Sequence, residues 1–91
     1  MCIDVLVKRL ARKYPTQKIY TNVDYYDGDH HVGEVDVLRK IKPNHYVMYE
    51  VKTGQAKINK ARQQYYRFVN HNPEDTIRGV YVHPKKVQRL K

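Results

Sequence analysis

The stretch VGEVDVLRKIKPNHYVMYEVK, residues 32–52, contains two apolar runs rich in β-branched and aromatic residues, separated by a short polar segment. Such runs favour β-strands, and the Lys-Pro-Asn sequence at residues 42–44 is typical of a turn. The stretch therefore predicts two antiparallel strands, over residues 32–41 and 45–52. They form the centre of the predicted fold.

The residues before this stretch predict a helix and a further strand. Apolar side chains recur at helical spacing over residues 3–14, and Pro15 ends the pattern. Residues 18–26 are rich in β-branched and aromatic side chains, and the Asp-Gly-Asp sequence at residues 27–29 is turn chemistry. The first three strands are therefore expected to form an antiparallel meander.

The residues after it predict a second helix and a fourth strand. Residues 56–70 have apolar side chains at helical period, and Asn72 and Pro73 end the helix. Residues 76–83 resemble a strand, and residues 84–91 form a basic tail of unassigned structure. Because there is no repeat and no long linker, the sequence predicts one α/β domain over residues 1–91.

The positive charge is concentrated in the C-terminal part of the chain. The formal net charge is +9, and residues 1–51 carry eight Lys or Arg against seven Asp or Glu, whereas residues 52–91 carry ten against two. A one-sided basic distribution favours polyanions such as nucleic acid, because neutralising phosphates releases condensed counterions. It does not distinguish DNA from RNA, and a merely solvated basic surface is the plainer alternative.

The cysteine count and hydropathy exclude several protein classes. Cys2 is the only cysteine, so an intramolecular disulfide and a thiolate zinc site of the finger type are excluded. No run approaches the roughly 20 apolar residues of a membrane span, and the N-terminus does not resemble a signal peptide. A cytoplasmic protein without membrane association is expected.

Strand alternation predicts which side chains share a face in the first strand of the opening stretch. Successive side chains point to opposite faces. We therefore expect Glu34, Asp36 and Leu38 on one face, with Val35 and Val37 on the other.

The second strand of the stretch carries Glu50 and Lys52 on a single face by the same rule. Asp36 and Glu50 can share one divalent ion if the register places them opposite each other, because cross-strand β-carbons lie about 4.5–5.5 Å apart. Charges in apolar runs are costly unless they are paired or bound to metal. The alternative is an ion pair of either acid with Lys52 or Arg39 on a solvated sheet face.

The sequences GEVDVL at residues 33–38 and YEVKTG at residues 49–54 resemble the two motifs of the PD-(D/E)xK nuclease superfamily, in the expected order. The resemblance covers roughly residues 3–83, and the small Holliday-junction-resolvase-like and viral or phage members are the most similar. It implies a restriction-endonuclease-like core, α-β-β-β-α-β, with a central mixed four-stranded sheet flanked by helices. Val35 replaces the proline of the motif, and the elements that usually shape substrate specificity are absent.

The resemblance also implies roles for individual residues. Asp36 and Glu50 would bind Mg²⁺ or Mn²⁺ together with the backbone carbonyl of Val51, because these ions prefer oxygen ligands. Lys52 would position and polarise the attacking water. Gln64 matches a glutamine that many members carry on the second helix, although an ordinary solvated helix position explains it equally simply.

Two further acids are candidates for completing the metal site. Asp4 lies where some members place an acidic residue, but an aspartate near a helix N-terminus, four residues before Lys8, is favourable without any metal. Glu34 is expected on the face of Asp36. Neither position is decided by the sequence.

Basic side chains outside the motifs are candidates for gripping phosphates. They form a stripe along the second helix and continue into the C-terminal tail: Lys57, Lys60, Arg67, Lys85 and Lys86. The tyrosine pairs at residues 25–26 and 65–66 can stack on exposed bases. Tyrosine must also supply the core aromatic volume, because Trp is absent and the chain contains one Phe.

The function implied is a Mg²⁺- or Mn²⁺-dependent deoxyribonuclease, with DNA repair, recombination or viral replication as its setting. RNA is not excluded as a substrate. A homodimer is expected, because many small members of the superfamily pair two active sites. The alternatives are a non-catalytic basic nucleic-acid-binding module and one subunit of a larger nuclease complex.

Overall fold

A computed structural model describes residues 3–52, 58–83 and 86–90. The helices and strands of this part, in chain order, are α1 (Ile3–Lys13), β1 (Lys18–Asp27), β2 (His30–Lys42), β3 (His45–Val51), α2 (Ile58–His71), β4 (Thr76–His83) and β5 (Lys86–Arg89). The six elements predicted from the sequence are present in the predicted order. The predicted start of the second helix, residues 56 and 57, lies outside the described residues.

The strands form one mixed sheet in the order β1-β2-β3-β4-β5. All neighbouring strands are antiparallel except β3 and β4, which are parallel. Parallel neighbours need a crossover connection, and α2 lies within it. The mixed α/β fold with two helices therefore agrees with the sequence-based expectation.

The four predicted strands form the mixed sheet in the expected order, and a fifth strand extends it, because part of the predicted tail forms β5. This strand pairs with β4 along the edge of the sheet, from Val80 opposite Arg89 to His83 opposite Lys86. Leu90 follows it, is buried in the core, and donates its backbone N–H to the carbonyl of Gly79 at 2.9 Å. Backbone pairing at a sheet edge requires no apolar alternation, so the basic sequence concealed the strand.

The two helices cover opposite faces of the sheet. Leu6 and Leu10 of α1 pack against one face in a cluster that includes Val47, Tyr49 and Val82. The other face carries the larger cluster, in which Ala61, Tyr65 and Phe68 of α2 pack against sheet residues such as Met48 and Tyr81. Each core-facing stripe recurs at helical spacing, which explains why both helices were predictable.

A close approach fixes the position of α2 on the sheet. The ring of Tyr65 lies directly over Gly79, where a β-carbon would be 2.5 Å from the ring, and its hydroxyl donates to the carbonyl of Ile77 at 2.6 Å. Only glycine leaves room for this contact.

Neither helix among the described residues is long and apolar enough to cross a membrane.

Candidate active site

Asp36 and Glu50 lie on adjacent strands at the point where β2 and β3 separate. The ladder between these strands ends at Val37 opposite Tyr49, and Asp36 and Glu50 are the next residues in that register. In place of a further backbone pair, Oδ2 of Asp36 accepts a hydrogen bond from the N–H of Val51 at 3.0 Å. The register therefore brings the two acids together, and the Asp36 side chain is held against β3.

The predicted alternation of side chains in β2 is wrong between Val35 and Leu38. Val35 and Leu38 belong to the core cluster under α2, whereas Val37 belongs to the cluster under α1. The cause is an interruption at Asp36 and at Asn22, which stands opposite it in β1. The β1–β2 pairing omits these two residues, and Asn22 has a positive φ of 50°.

Glu50 is fully buried and forms no ion pair among the described residues. Its exposure is 0%, and neither carboxylate oxygen has a hydrogen-bond partner there. Burial, together with the nearby carboxylate of Asp36, raises the pKa of Glu50 from 4.5 to about 8. Such a carboxyl group requires either a proton or a cation.

Lys52 and Glu34 also lie within electrostatic reach of Glu50. The positive charge of Lys52 lowers the pKa of Glu50, and the negative charge of Glu34 raises it by the smallest of the contributions. Lys52 is half-buried just beyond β3, where its N–H donates to the carbonyl of Val82 at 2.9 Å. Glu34 is exposed, so it lies at the periphery of the acidic pair.

Two uncharged polar groups are buried without a partner on the same side of the sheet. Gln64 lies on α2 beside the core-facing residues, and its Oε1 is buried without a hydrogen bond in the described part of the chain. The hydroxyl of Tyr81 is in the same state, and Tyr81 stands opposite Glu50 in the β3–β4 ladder. Sequence reasoning singled out Gln64 but missed Tyr81, because a tyrosine in an apolar strand carries no signal of its own.

The alternative predicted from the sequence was an ion pair of Asp36 or Glu50 with Lys52 or Arg39. No such ion pair forms among the described residues. The one ion pair found there joins His31 to Asp24 at the hairpin, with Nε2 and Oδ1 at 2.9 Å. Arg39 lies on the opposite face of the sheet from Glu50, stacked 3.8 Å from the ring centre of Tyr14. It therefore does not neutralise either acid.

The candidate additional acids do not complete a three-residue metal cluster. Among the described residues, no three His, Cys, Asp or Glu side chains come together in a group that could hold a metal ion. Asp4 is exposed in the first turn of α1, the helix that packs on the other face of the sheet. The predicted donor set, two carboxylates and the carbonyl of Val51, contains fewer than three such side chains.

The predicted phosphate-gripping residues are only partly within the described structure. Lys60 and Arg67 are exposed on α2. Lys57 and Lys85 lie outside the described residues, as does the side chain of Lys86, whose backbone belongs to β5.

Tyr25 lies within electrostatic reach of both Arg67 on α2 and Glu50 of the acidic pair. Burial raises the pKa of the Tyr25 phenol, the positive charge of Arg67 lowers it, and the negative charge of Glu50 raises it. Both charged groups therefore act on this phenol. The ring lies over Gly33, where a β-carbon would be 2.6 Å from the Tyr25 hydroxyl, so the glycine of the first motif makes room for it.

No protein-family model matches the chain, and no curated protein matches it. Two crystal structures have a similar fold. One, of a protein of unknown function, AF1548, has a TM-score of 0.58 at 15% identity and matches 86% of this chain and 43% of its own. The other, SSO0001, has a TM-score of 0.53 at 18% identity and matches 96% of this chain and 46% of its own. The chain thus shares a mixed α/β fold with both proteins. It spans less than half the length of each of them.

Proposed function

We propose that this chain is a metal-dependent deoxyribonuclease of the PD-(D/E)xK superfamily, built on a restriction-endonuclease-like core. The order α1, a β1–β3 meander, α2 and β4 supports this core, as does the meeting of both sequence motifs where β2 and β3 separate. The known structures support the fold alone. The activity is inferred from the residues at this point.

The observation that carries the proposal is the state of Glu50. A buried carboxyl group beside a second carboxylate, with no hydrogen-bond partner in the described part of the chain, is unfavourable when ionised. A divalent cation would neutralise both acids and supply the missing contact. Oxygen donors of this kind suit Mg²⁺ and Mn²⁺.

Each residue of the site has a distinct part in hydrolysis. Asp36, Glu50 and the carbonyl of Val51 would hold the ion, which when bound supplies positive charge for the phosphate oxygens and acidifies water. Lys52 would orient the attacking water toward phosphorus and stabilise negative charge on the phosphate. Gln64 would donate its amide N–H groups to the same water or phosphate. In hydrolysis the water oxygen would form a new P–O bond as the P–O bond to the leaving nucleotide oxygen breaks. A water proton would pass to that oxygen, which leaves one phosphate end and one hydroxyl end.

The partners follow from charge and size. The +9 net charge and the exposed Lys60 and Arg67 on α2 favour a polyanion, and DNA is the proposed substrate. A homodimer would let two sites act on one duplex. Sedimentation at micromolar concentration tests the dimer, and a strictly monomeric protein would exclude it.

The direct test is cleavage by the purified protein. Single-stranded, duplex, nicked and branched DNA, with an RNA strand for comparison, are incubated with Mg²⁺, Mn²⁺ or EDTA. We expect cleavage with metal and none with EDTA. Binding without cleavage under any metal would instead favour the non-catalytic nucleic-acid-binding module.

Matched variants distinguish the loss of a catalytic residue from a general effect of changing the protein's charge. Asp36→Asn and Lys52→Ala should each lower cleavage at least about 100-fold, the usual scale for losing a group that acts on the transition state. The controls are Asp27→Asn and Lys42→Ala, both exposed at strand ends away from the site, and they should retain cleavage. Asp36→Asn keeps an oxygen that can accept the N–H of Val51, so its folding should be intact. Equal loss in the controls would refute these roles.

A further inference from the structure

An open groove lies on the α2 face of the sheet, and its lining includes Leu38, two residues along β2 from Asp36. Its volume is about 310 Å³, at the lower end of the range for small-molecule sites. Four aromatic side chains line it: Tyr20, Tyr25, Tyr46 and Phe68. The groove is therefore an aromatic-walled space large enough for one small planar group.

The wall of the groove consists of packed, buried side chains, whereas its rim is accessible. Tyr25 packs edge-on against Phe68, with ring centres 5.1 Å apart, and also lies 5.0 Å from His71. Both Tyr25 and Phe68 are buried. Tyr20 at the rim is 41% exposed, so its ring can gain contact from a ligand without any rearrangement of the core.

Polar groups at the end of α2 complete the lining. Asn72 lines the groove and donates its Nδ2 to the carbonyl of Phe68 at 3.0 Å, so Oδ1 is the side-chain atom left to accept from a ligand. Asp75 also lines it and disfavours a phosphate group inside. A suitable ligand is thus flat, aromatic, uncharged and equipped with N–H donors at its edge.

We propose that this groove binds an unpaired nucleobase of the same nucleic-acid strand whose phosphate occupies the Asp36 and Glu50 site. The proposal rests on the proposed function for its choice of ligand. A nucleobase has the required flat faces and N–H edge, and stacking on tyrosine tolerates any base. Leu38 in the lining lies two residues along β2 from Asp36, and Val23 pairs with Val35, the residue before Asp36, so the groove adjoins the site along β2. Tyr25, which also lines the groove, is close enough to Glu50 and Arg67 for both charges to act on its phenol.

The inference narrows the substrate class. An intact duplex keeps its bases stacked and paired, so it cannot fill the groove without unstacking. Single strands, frayed ends, flaps and junctions offer unpaired bases directly. We therefore expect the chain to prefer DNA with a single-stranded segment over a blunt duplex.

Binding measurements in EDTA test the groove without requiring cleavage. A fluorescent single-stranded oligonucleotide is compared with an abasic strand of the same length for the wild type, Tyr20→Ala, Tyr20→Phe and Val5→Ala. Val5 on α1 is the control, since it is as exposed as Tyr20, at 41%, and does not line the groove. Thermal melting of each variant verifies the fold.

Tyr20→Ala should weaken binding of the normal strand about tenfold, which corresponds to about 1.4 kcal/mol. Tyr20→Phe and Val5→Ala should bind as the wild type does, and the abasic strand should bind all four proteins equally. Unchanged binding by a folded Tyr20→Ala, or an equal loss with the abasic strand, would overturn the inference. Base-dependent binding without cleavage under any metal would uphold the groove and refute the nuclease, so the two failures are distinguishable.

Discussion

We expect the stability of the wild-type protein to fall between pH 6 and pH 8, and replacing Glu50 with glutamine should remove this pH dependence. Burial and the carboxylate of Asp36 raise the pKa of Glu50 from 4.5 to about 8 in the folded protein. Within that interval the folded protein holds a proton that the unfolded chain has released. Stability is therefore fully present below about pH 4.5 and is lost as the pH rises toward 8.

The size of the effect follows from proton linkage. The free energy of unfolding falls by about 1.4 kcal/mol for each pH unit inside the interval, and the slope flattens as the pH approaches the folded pKa. Between pH 6 and pH 8 the loss is roughly 2 kcal/mol. In a domain of this size that lowers the Tm by roughly 8–16 °C.

Thermal unfolding of the wild type and Glu50→Gln, at pH 6 and pH 8, measures this directly. Each protein serves as its own reference, because the buried glutamine amide has a desolvation cost of its own. Glu74→Gln is the matched control, since Glu74 is exposed in the turn after α2 and should behave as the wild type does. An equal fall in Tm for the wild type and Glu50→Gln would refute the assignment of the raised pKa to Glu50.

Added Mg²⁺ or Mn²⁺ extends the same experiment. A cation that binds the ionised pair competes with the proton on Glu50, so its stabilising effect should grow as the pH rises from 6 to 8. Glu50→Gln should lose most of that stabilisation. A metal-induced rise in Tm that is the same in both proteins would place metal binding elsewhere.

Two other perturbations test the basic stripe and the opposite face of the sheet. Removing the charges of Lys60 and Arg67 together should reduce the slope of log affinity for DNA against log salt concentration by about two units. Removing those of Arg9 and Arg12 on α1 should leave the slope nearly unchanged. Equal slopes in the two double variants would contradict phosphate binding by Lys60 and Arg67. Arg39→Lys should lower the free energy of unfolding by about 1–2 kcal/mol in urea titrations. The guanidinium stacks on the ring of Tyr14 and also donates to the hydroxyl of Tyr49 and to Oε1 of Gln17, and a lysine cannot make all three contacts. A loss below about 0.5 kcal/mol would contradict this reasoning.

The elements were predictable because their patterns are local. Helical spacing of apolar residues identified α1 and α2, and β-branched runs separated by turn residues identified the first four strands. β5 was not predictable, since its sequence is basic and its pairing with β4 uses backbone groups. The face occupied by Arg39 was also undecided, because an arginine in a strand can reach solvent, an acid or an aromatic ring equally well.

The residues of the site were predictable from the sequence, but their burial and their neighbours were not. The two motifs identified Asp36, Glu50 and Lys52, and the β2–β3 register brings the two acids together. The complete burial of Glu50 depends on tertiary packing, in which Tyr81 of β4 stands beside it although it is distant in sequence. For the same reason the Tyr81 hydroxyl, which has no hydrogen-bond partner among the described residues, had no sequence signal.

The interruption at Asn22 and Asp36 explains why the two acids differ. Asparagine tolerates positive φ better than most residues, and its φ of 50° opposite Asp36 accompanies the break in strand alternation. Asp36 leaves the regular ladder and is held by the N–H of Val51, whereas Glu50 stays within β3 and is buried without a partner in the described structure. Asp36 is thus positioned before any ligand arrives, and the charge of Glu50 depends on what binds. Restoring regular alternation would move Asp36 away from Val51, so the strand break is part of the proposed site and not a defect beside it.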